Sequence, residues 1–133
     1  MDGVRVLSFN VQKKYVLVDA LLETSKDEFD IIFLQEPPRQ TLRQAPSTSN
    51  PLGDDVVGPP KHPSWALFEN PTENKPSRVL TYISVRLNHL RPSLRRDLLS
   101  HRDIMVVSLT SKDTSYYFAN VYSDDRSTAI RYL

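Results

Sequence analysis

The chain has 133 residues, 39% hydrophobic and 25% charged, a size and balance that admit one domain with a moderate buried core. Lys and Arg number 17 against 16 Asp and Glu, so net charge argues neither for nor against a polyanionic partner and any such argument must be local. The absence of cysteine excludes a disulfide framework and a Cys-ligated zinc site, and no apolar run approaches the ~18 residues of a membrane span. The N-terminal residues show no secretory pattern, and the chain reads as soluble and intracellular, with a nuclear location compatible.

All ten prolines lie between Pro37 and Pro92, which leaves regular structure to the flanks. Val4 to Asn10 reads as a strand. Val11 to about Thr24 reads as a helix, with Tyr15, Val18, Leu21 and Leu22 spaced for one buried face. Phe29 to Gln35 is a continuous apolar run between acidic residues and a Pro pair, the pattern of a strand covered on both faces. Strand, helix, strand is a βαβ unit, and if its strands are neighbours their carboxyl ends lie side by side. Residues 37–76 form a long Pro-rich connection with a short strand at Trp65 to Phe68, open between an ordered functional loop and disorder over 45–60. Val79 to Leu87, Ile104 to Thr110 and Tyr116 to Tyr122 read as three more strands, the last two joined as a hairpin across Ser111 to Ser115. Arg86 to Arg102 is locally cationic and contains Arg91, Arg95 and Arg96. It reads either as a stretch that tracks nucleic-acid phosphates or as a solvated loop with a short helix over Leu94 to Leu99. Ser127 opens a final helical segment.

Chemistry enters at strand ends. Strand residues alternate faces, so Val4, Val6, Ser8 and Asn10 share one side, as do Ile32, Leu34 and Glu36, and Tyr116, Phe118, Asn120 and Tyr122. Stacked in one sheet, these sets give an apolar base and a polar carboxyl rim of Asn10, Glu36, Asn120 and Tyr122, where α/β sheets favour ligands. Pro37 keeps Glu36 out of the helical region. One fixed carboxylate beside an amide is what an octahedral Mg²⁺ takes from a protein when waters and phosphate fill its other positions. Singly, each residue has a plainer reading: Glu36 is where an apolar strand meets water, and Asn10 is a helix cap.

In order and spacing, Leu7-Ser8-Phe9-Asn10-Val11-Gln12, Asp30-Ile31-Ile32-Phe33-Leu34-Gln35-Glu36-Pro37 and Asn120-Val121-Tyr122 resemble the first motifs of the endonuclease/exonuclease/phosphatase superfamily. The likeness is greatest to the LINE-type retrotransposon branch and takes in the Asn50 to Trp65 loop. The resemblance implies an α/β fold, a four-layer sandwich of the deoxyribonuclease I type, with DNA as partner and Mg²⁺ as a weakly held cofactor. By the same resemblance Glu36 ligates the metal, Asn10 helps to position it, Tyr122 contacts the scissile phosphate, and Asn120 belongs to the catalytic group.

The family pattern continues with a Gly-Asp-x-Asn motif and a Ser-Asp-His motif, and neither occurs in these 133 residues. The position after Asn-Val, often acidic in abasic-site enzymes, is Gln12. The expectation is therefore a truncated domain over 1–133, with its N-terminal sheet and helix present and its C-terminal half missing. Alone it would be inactive, with one apolar sheet face uncovered, and so prone to self-association or in need of the missing half. The alternatives are a non-catalytic remnant that binds nucleic acid or a partner protein, and part of a small-molecule phosphatase of the same superfamily.

Overall fold

Val6–Asn10 forms strand β1 and Ile31–Gln35 forms β2, and the two pair in parallel from Val6 opposite Ile31 to Asn10 opposite Gln35. The computed structural model describes residues 3–38, 41–43, 55–57, 59–70 and 77–123. Helix α1, Tyr15–Ser25, crosses between the strands, which completes the βαβ unit. It starts at Tyr15 rather than Val11 because the donors of the preceding turn are taken elsewhere. Asn10 Oδ1 accepts from the Gln12 amide at 2.9 Å, and the Lys13 amide donates to the Glu36 carbonyl at 2.7 Å. Gln12 and Lys13 both sit at positive φ, 51° and 60°, outside any helix. Val18 and Leu22 then bury against Ile32 and Leu34, with Leu17 and Leu21 packed beside them.

Two further strands, β5 (Trp65–Phe68) and β6 (Val79–Ser84), join antiparallel to give the order β1-β2-β6-β5. Trp65 Nε1 donates to the Leu22 carbonyl at 2.8 Å, satisfying an acceptor left over in the last turn of α1. Strands β3 (Thr41–Arg43) and β4 (Asp55–Val57) pair as a separate antiparallel ribbon within the Pro-rich connection. The contrast between order and disorder over 45–60 falls largely outside the described residues, as does the helix expected from Ser127.

Strand β6 stops at Ser84, short of Leu87, because Ser84 Oγ accepts from the Arg86 amide at 3.2 Å and caps a 3₁₀ helix, Val85–Leu90. That helix ends at Arg91, held at φ 51°. The second sheet is antiparallel, in the order β7 (Ser93–Leu94), β8 (Ile104–Ser111), β9 (Thr114–Val121), and β8 and β9 form the expected hairpin. The helix expected over Leu94 to Leu99 does not form. Leu94 packs into the core between the sheets and the Arg95 amide donates to the Val106 carbonyl at 2.8 Å, so this segment spends its backbone on a strand and one turn.

Three expectations about the sheet faces are corrected. Tyr116 to Tyr122 belongs to the second sheet and not to that of β1 and β2. The parallel register puts Ser8 and Asn10 on the side of Ile31, Phe33 and Gln35, whereas Ile32 and Leu34 point to the helix, so the alternation phase joining Asn10 to Ile32 and Leu34 is off by one. Neither face of the first sheet is bare. Helix α1 covers one, and Met105, Val107, Leu109 and Phe118 of the second sheet pack against Ile31, Phe33, Val79 and Ile83 on the other. That face therefore gives no ground for self-association. Among the described residues the layers are helix, sheet and sheet, and no helix is long and apolar enough to cross a membrane.

Candidate active site

Glu36 follows β2 immediately, and continued alternation would turn its side chain toward the helix with Ile32 and Leu34. A φ of 53° breaks that alternation. The carboxylate turns instead to the second sheet, where Tyr122 OH donates to Glu36 Oε1 at 3.2 Å across 86 residues of sequence. The left-handed region costs a non-glycine residue about 1–2 kcal/mol, and strain of this kind collects at functional sites. The conformation is held by the main chain: the Glu36 amide donates to the Arg78 carbonyl at 2.9 Å, and the Glu36 carbonyl accepts from the Lys13 amide.

Asn10 ends β1 at the same rim, exposed, with Oδ1 holding the Gln12 amide. A carbonyl oxygen has two lone pairs, so this one can serve the turn and still face a cation. Gln35, opposite Asn10 in the register, carries the rim inward: its Nε2 donates to Ser8 Oγ at 3.1 Å and to Asn120 Oδ1 at 2.9 Å. Asn120 is 1% exposed, and its Nδ2 donates to the Leu80 carbonyl at 2.8 Å, with the Leu34 carbonyl at 3.3 Å also in range. It clasps β9 to β2 and β6 under the site instead of facing solvent.

Tyr122 stands between Glu36 and a cation. The Arg78 guanidinium carbon lies 4.6 Å from the Tyr122 ring centroid, and Arg78 makes a two-pronged ion pair with Asp103, Nε to Oδ1 at 2.6 Å and Nη2 to Oδ2. Asp103 is 1% exposed, and its carbonyl accepts the Tyr122 amide at 2.8 Å.

The structure thus brings Asn10, Glu36, Asn120 and Tyr122 to one rim. Arg91, Arg95 and Arg96 lie apart from it. Arg91 Nη2 donates to the Lys112 carbonyl in the β8–β9 turn, at the end of β8 away from Tyr122, roughly 20 Å along the strand at ~3.3 Å per residue. Arg95 pairs with Asp97 at 2.7 Å and stacks over Tyr117 at 5.4 Å, which hold its pKa well above the ordinary value, and Arg96 donates to Ser100 Oγ at 3.5 Å. Among the described residues, Lys13 and Lys14 stand on the turn bonded to Glu36 and Arg78 stacks on Tyr122, and sequence reasoning singled out none of these three. Gln35 adjoins Glu36 in the Leu-Gln-Glu-Pro step, but its pairing with Asn10 comes from the strand register, which only the structure gives. Nothing local marks Arg78 or Asp103, whose meeting depends on how the two sheets stack.

Compared with solved structures, the chain matches the endonuclease domain of TRAS1, a telomere-specific non-LTR retrotransposon, with a TM-score of 0.58 over 98% of this chain. The fold is that of a retrotransposon endonuclease. The chain spans 49% of the TRAS1 domain at 15% identity, so the likeness is one of fold. No protein-family model and no curated protein sequence matches the chain.

Among the described residues, no group of three or more His, Asp or Glu side chains gathers as a self-sufficient metal cage. The donors at this rim, the Glu36 carboxylate and the Asn10 amide oxygen, fit a hard cation that keeps most of its waters.

Proposed function

We propose that this chain carries the metal- and phosphate-holding portion of a Mg²⁺-dependent DNA phosphodiesterase site of the endonuclease type, and that by itself it binds without nicking. The observation that carries the reading is the Tyr122–Glu36 hydrogen bond, made at the cost of a left-handed Glu36 and joining two sheets at one point. Glu36 and Asn10 are the residues that hold the ion. When bound, Mg²⁺ supplies polarisation of a phosphoryl oxygen and neutralises the charge that builds on it. Tyr122 presents a hydroxyl beside the carboxylate and can turn it to a phosphate oxygen, while Asn120 and Gln35 keep the strands that carry both groups in place. Lys13 and Lys14, exposed on the turn bonded to Glu36, favour a polyanion there. With no Gly-Asp-x-Asn or Ser-Asp-His in these residues, none is assigned to orienting water or protonating a leaving group.

The test is Mn²⁺ binding, by relaxation of water protons, alongside nicking of supercoiled plasmid in Mg²⁺. The expected result is weak binding that Glu36→Gln abolishes, and no nicking above a heat-treated control. Equal Mn²⁺ binding by both forms would sink the reading. It would favour instead a domain that binds nucleic acid or a partner protein without catalysis, a reading that exposed Lys13 and Lys14 on the adjoining turn support.

A further inference from the structure

The rim contains a closed circuit of four residues from distant parts of the chain. Glu36 gives its amide to the Arg78 carbonyl, Arg78 gives its guanidinium to the Asp103 carboxylate, Tyr122 gives its amide to the Asp103 carbonyl, and Tyr122 returns its hydroxyl to Glu36. The Arg78 guanidinium also covers the Tyr122 ring. Arg78 therefore touches both halves of the pair, the backbone of Glu36 and the ring of Tyr122, and buried Asp103 fixes the plane in which it does so. A guanidinium suits this task because it is flat, permanently charged and forked. A lysine in its place keeps the charge and loses both the fork and the stack.

We infer that Arg78, locked by Asp103, is the positioning residue for the Tyr122–Glu36 pair. It holds the Tyr122 hydroxyl over the carboxylate and so sets which Glu36 oxygen remains open to a ligand. This rests on the metal-site reading above. Arg78 acts through Tyr122 and not by touching the metal, so its effect must vanish when the Tyr122 hydroxyl is removed. Arg102, whose Nε is buried without a hydrogen-bond partner 3.5 Å from Asp103 Oδ1, sets a second cation beside the anchoring carboxylate.

The experiment is a double-substitution cycle read by Mn²⁺ affinity on the whole chain, with Arg78→Lys and Tyr122→Phe singly and together, and Asp103→Asn as the parallel variant. Arg78→Lys is expected to weaken Mn²⁺ about tenfold, the scale for partners that orient a ligand, and to have no further effect in the Tyr122→Phe background. An unchanged affinity, or a loss of equal size in both backgrounds, overturns the inference. The Arg78 Nε proton provides a second readout that needs no metal. It should exchange slowly and resonate upfield under the Tyr122 ring, and move downfield in Tyr122→Leu, whereas a signal that stays put in Tyr122→Leu, or one in fast exchange, overturns the positioning role even if metal binds. If Glu36→Gln leaves Mn²⁺ binding intact while that proton behaves as expected, the metal reading fails and the clamp stands.

Discussion

Replacing Asn120 tests whether one buried amide joins the two sheets. Asn120→Ala removes the 2.8 Å bond to the Leu80 carbonyl and the 2.9 Å bond from Gln35. At ~1 kcal/mol net for each bond, the loss is about 2 kcal/mol. The vacated space of roughly 50 Å³ adds about 1 kcal/mol at ~24 cal/mol per Å³. A total of about 3 kcal/mol is a large share of a domain's net stability. In urea, with a slope near 1.5 kcal/mol per M, the unfolding midpoint should fall by about 2 M, followed through the fluorescence of buried Trp65. Asn120→Asp separates bonding from volume, since it keeps the shape and turns an acceptor toward the Leu80 carbonyl. Burial there raises the Asp pKa in the folded state, so its deficit against the wild type should be smallest at acid pH, where the carboxyl is protonated and can donate. The deficit should grow as pH rises through the folded-state value. A midpoint shift below about 0.5 M for Asn120→Ala, or an Asp deficit that ignores pH, refutes the clasp.

Three other outcomes are expected. Glu36→Gly should relieve about 1–2 kcal/mol of left-handed strain and forfeit about 1 kcal/mol with the Tyr122 hydrogen bond, leaving stability within about 1 kcal/mol of the wild type while abolishing Mn²⁺ binding; a loss of about 2 kcal/mol or more would show that Glu36 is not strained. Trp65→Phe should cost about 1 kcal/mol in urea unfolding through loss of the bond to the Leu22 carbonyl, and an unchanged midpoint would remove Trp65 as a cap of α1. The hydrogen bond from Lys26, and then that from His62, holds the Glu23 carboxyl below its ordinary 4.5. Its contribution is complete above that value and is lost as pH falls through the folded-state pKa, so thermal melts of Glu23→Gln should lie below wild type near neutrality and merge with it in acid, once the carboxyl is protonated in the folded state too.

Much of the frame was legible without coordinates. The apolar run at Ile31 to Leu34 meant a strand covered on both sides, and the helical spacing of Val18 and Leu22 meant a crossover packed on it. With β1, these place Asn10 and Glu36 at neighbouring strand ends, because parallel neighbours bring their carboxyl ends together. Periodicity of this kind is local, and local spacing suffices to read it. The alternation phase between strands is not local. It depends on register, so Asn10 fell in with Gln35 and not with Ile32 and Leu34. The turn of Glu36 toward Tyr122 came from one backbone angle that no residue pattern announces. The split of the strands into two facing sheets, which buried the face expected to lie bare, follows from sheet-on-sheet packing across long sequence separations. The pairing of Arg78 with Asp103 and their placement against Tyr122 likewise come from that packing, because the sequence lists which side chains are available while only the stacked sheets decide which of them meet.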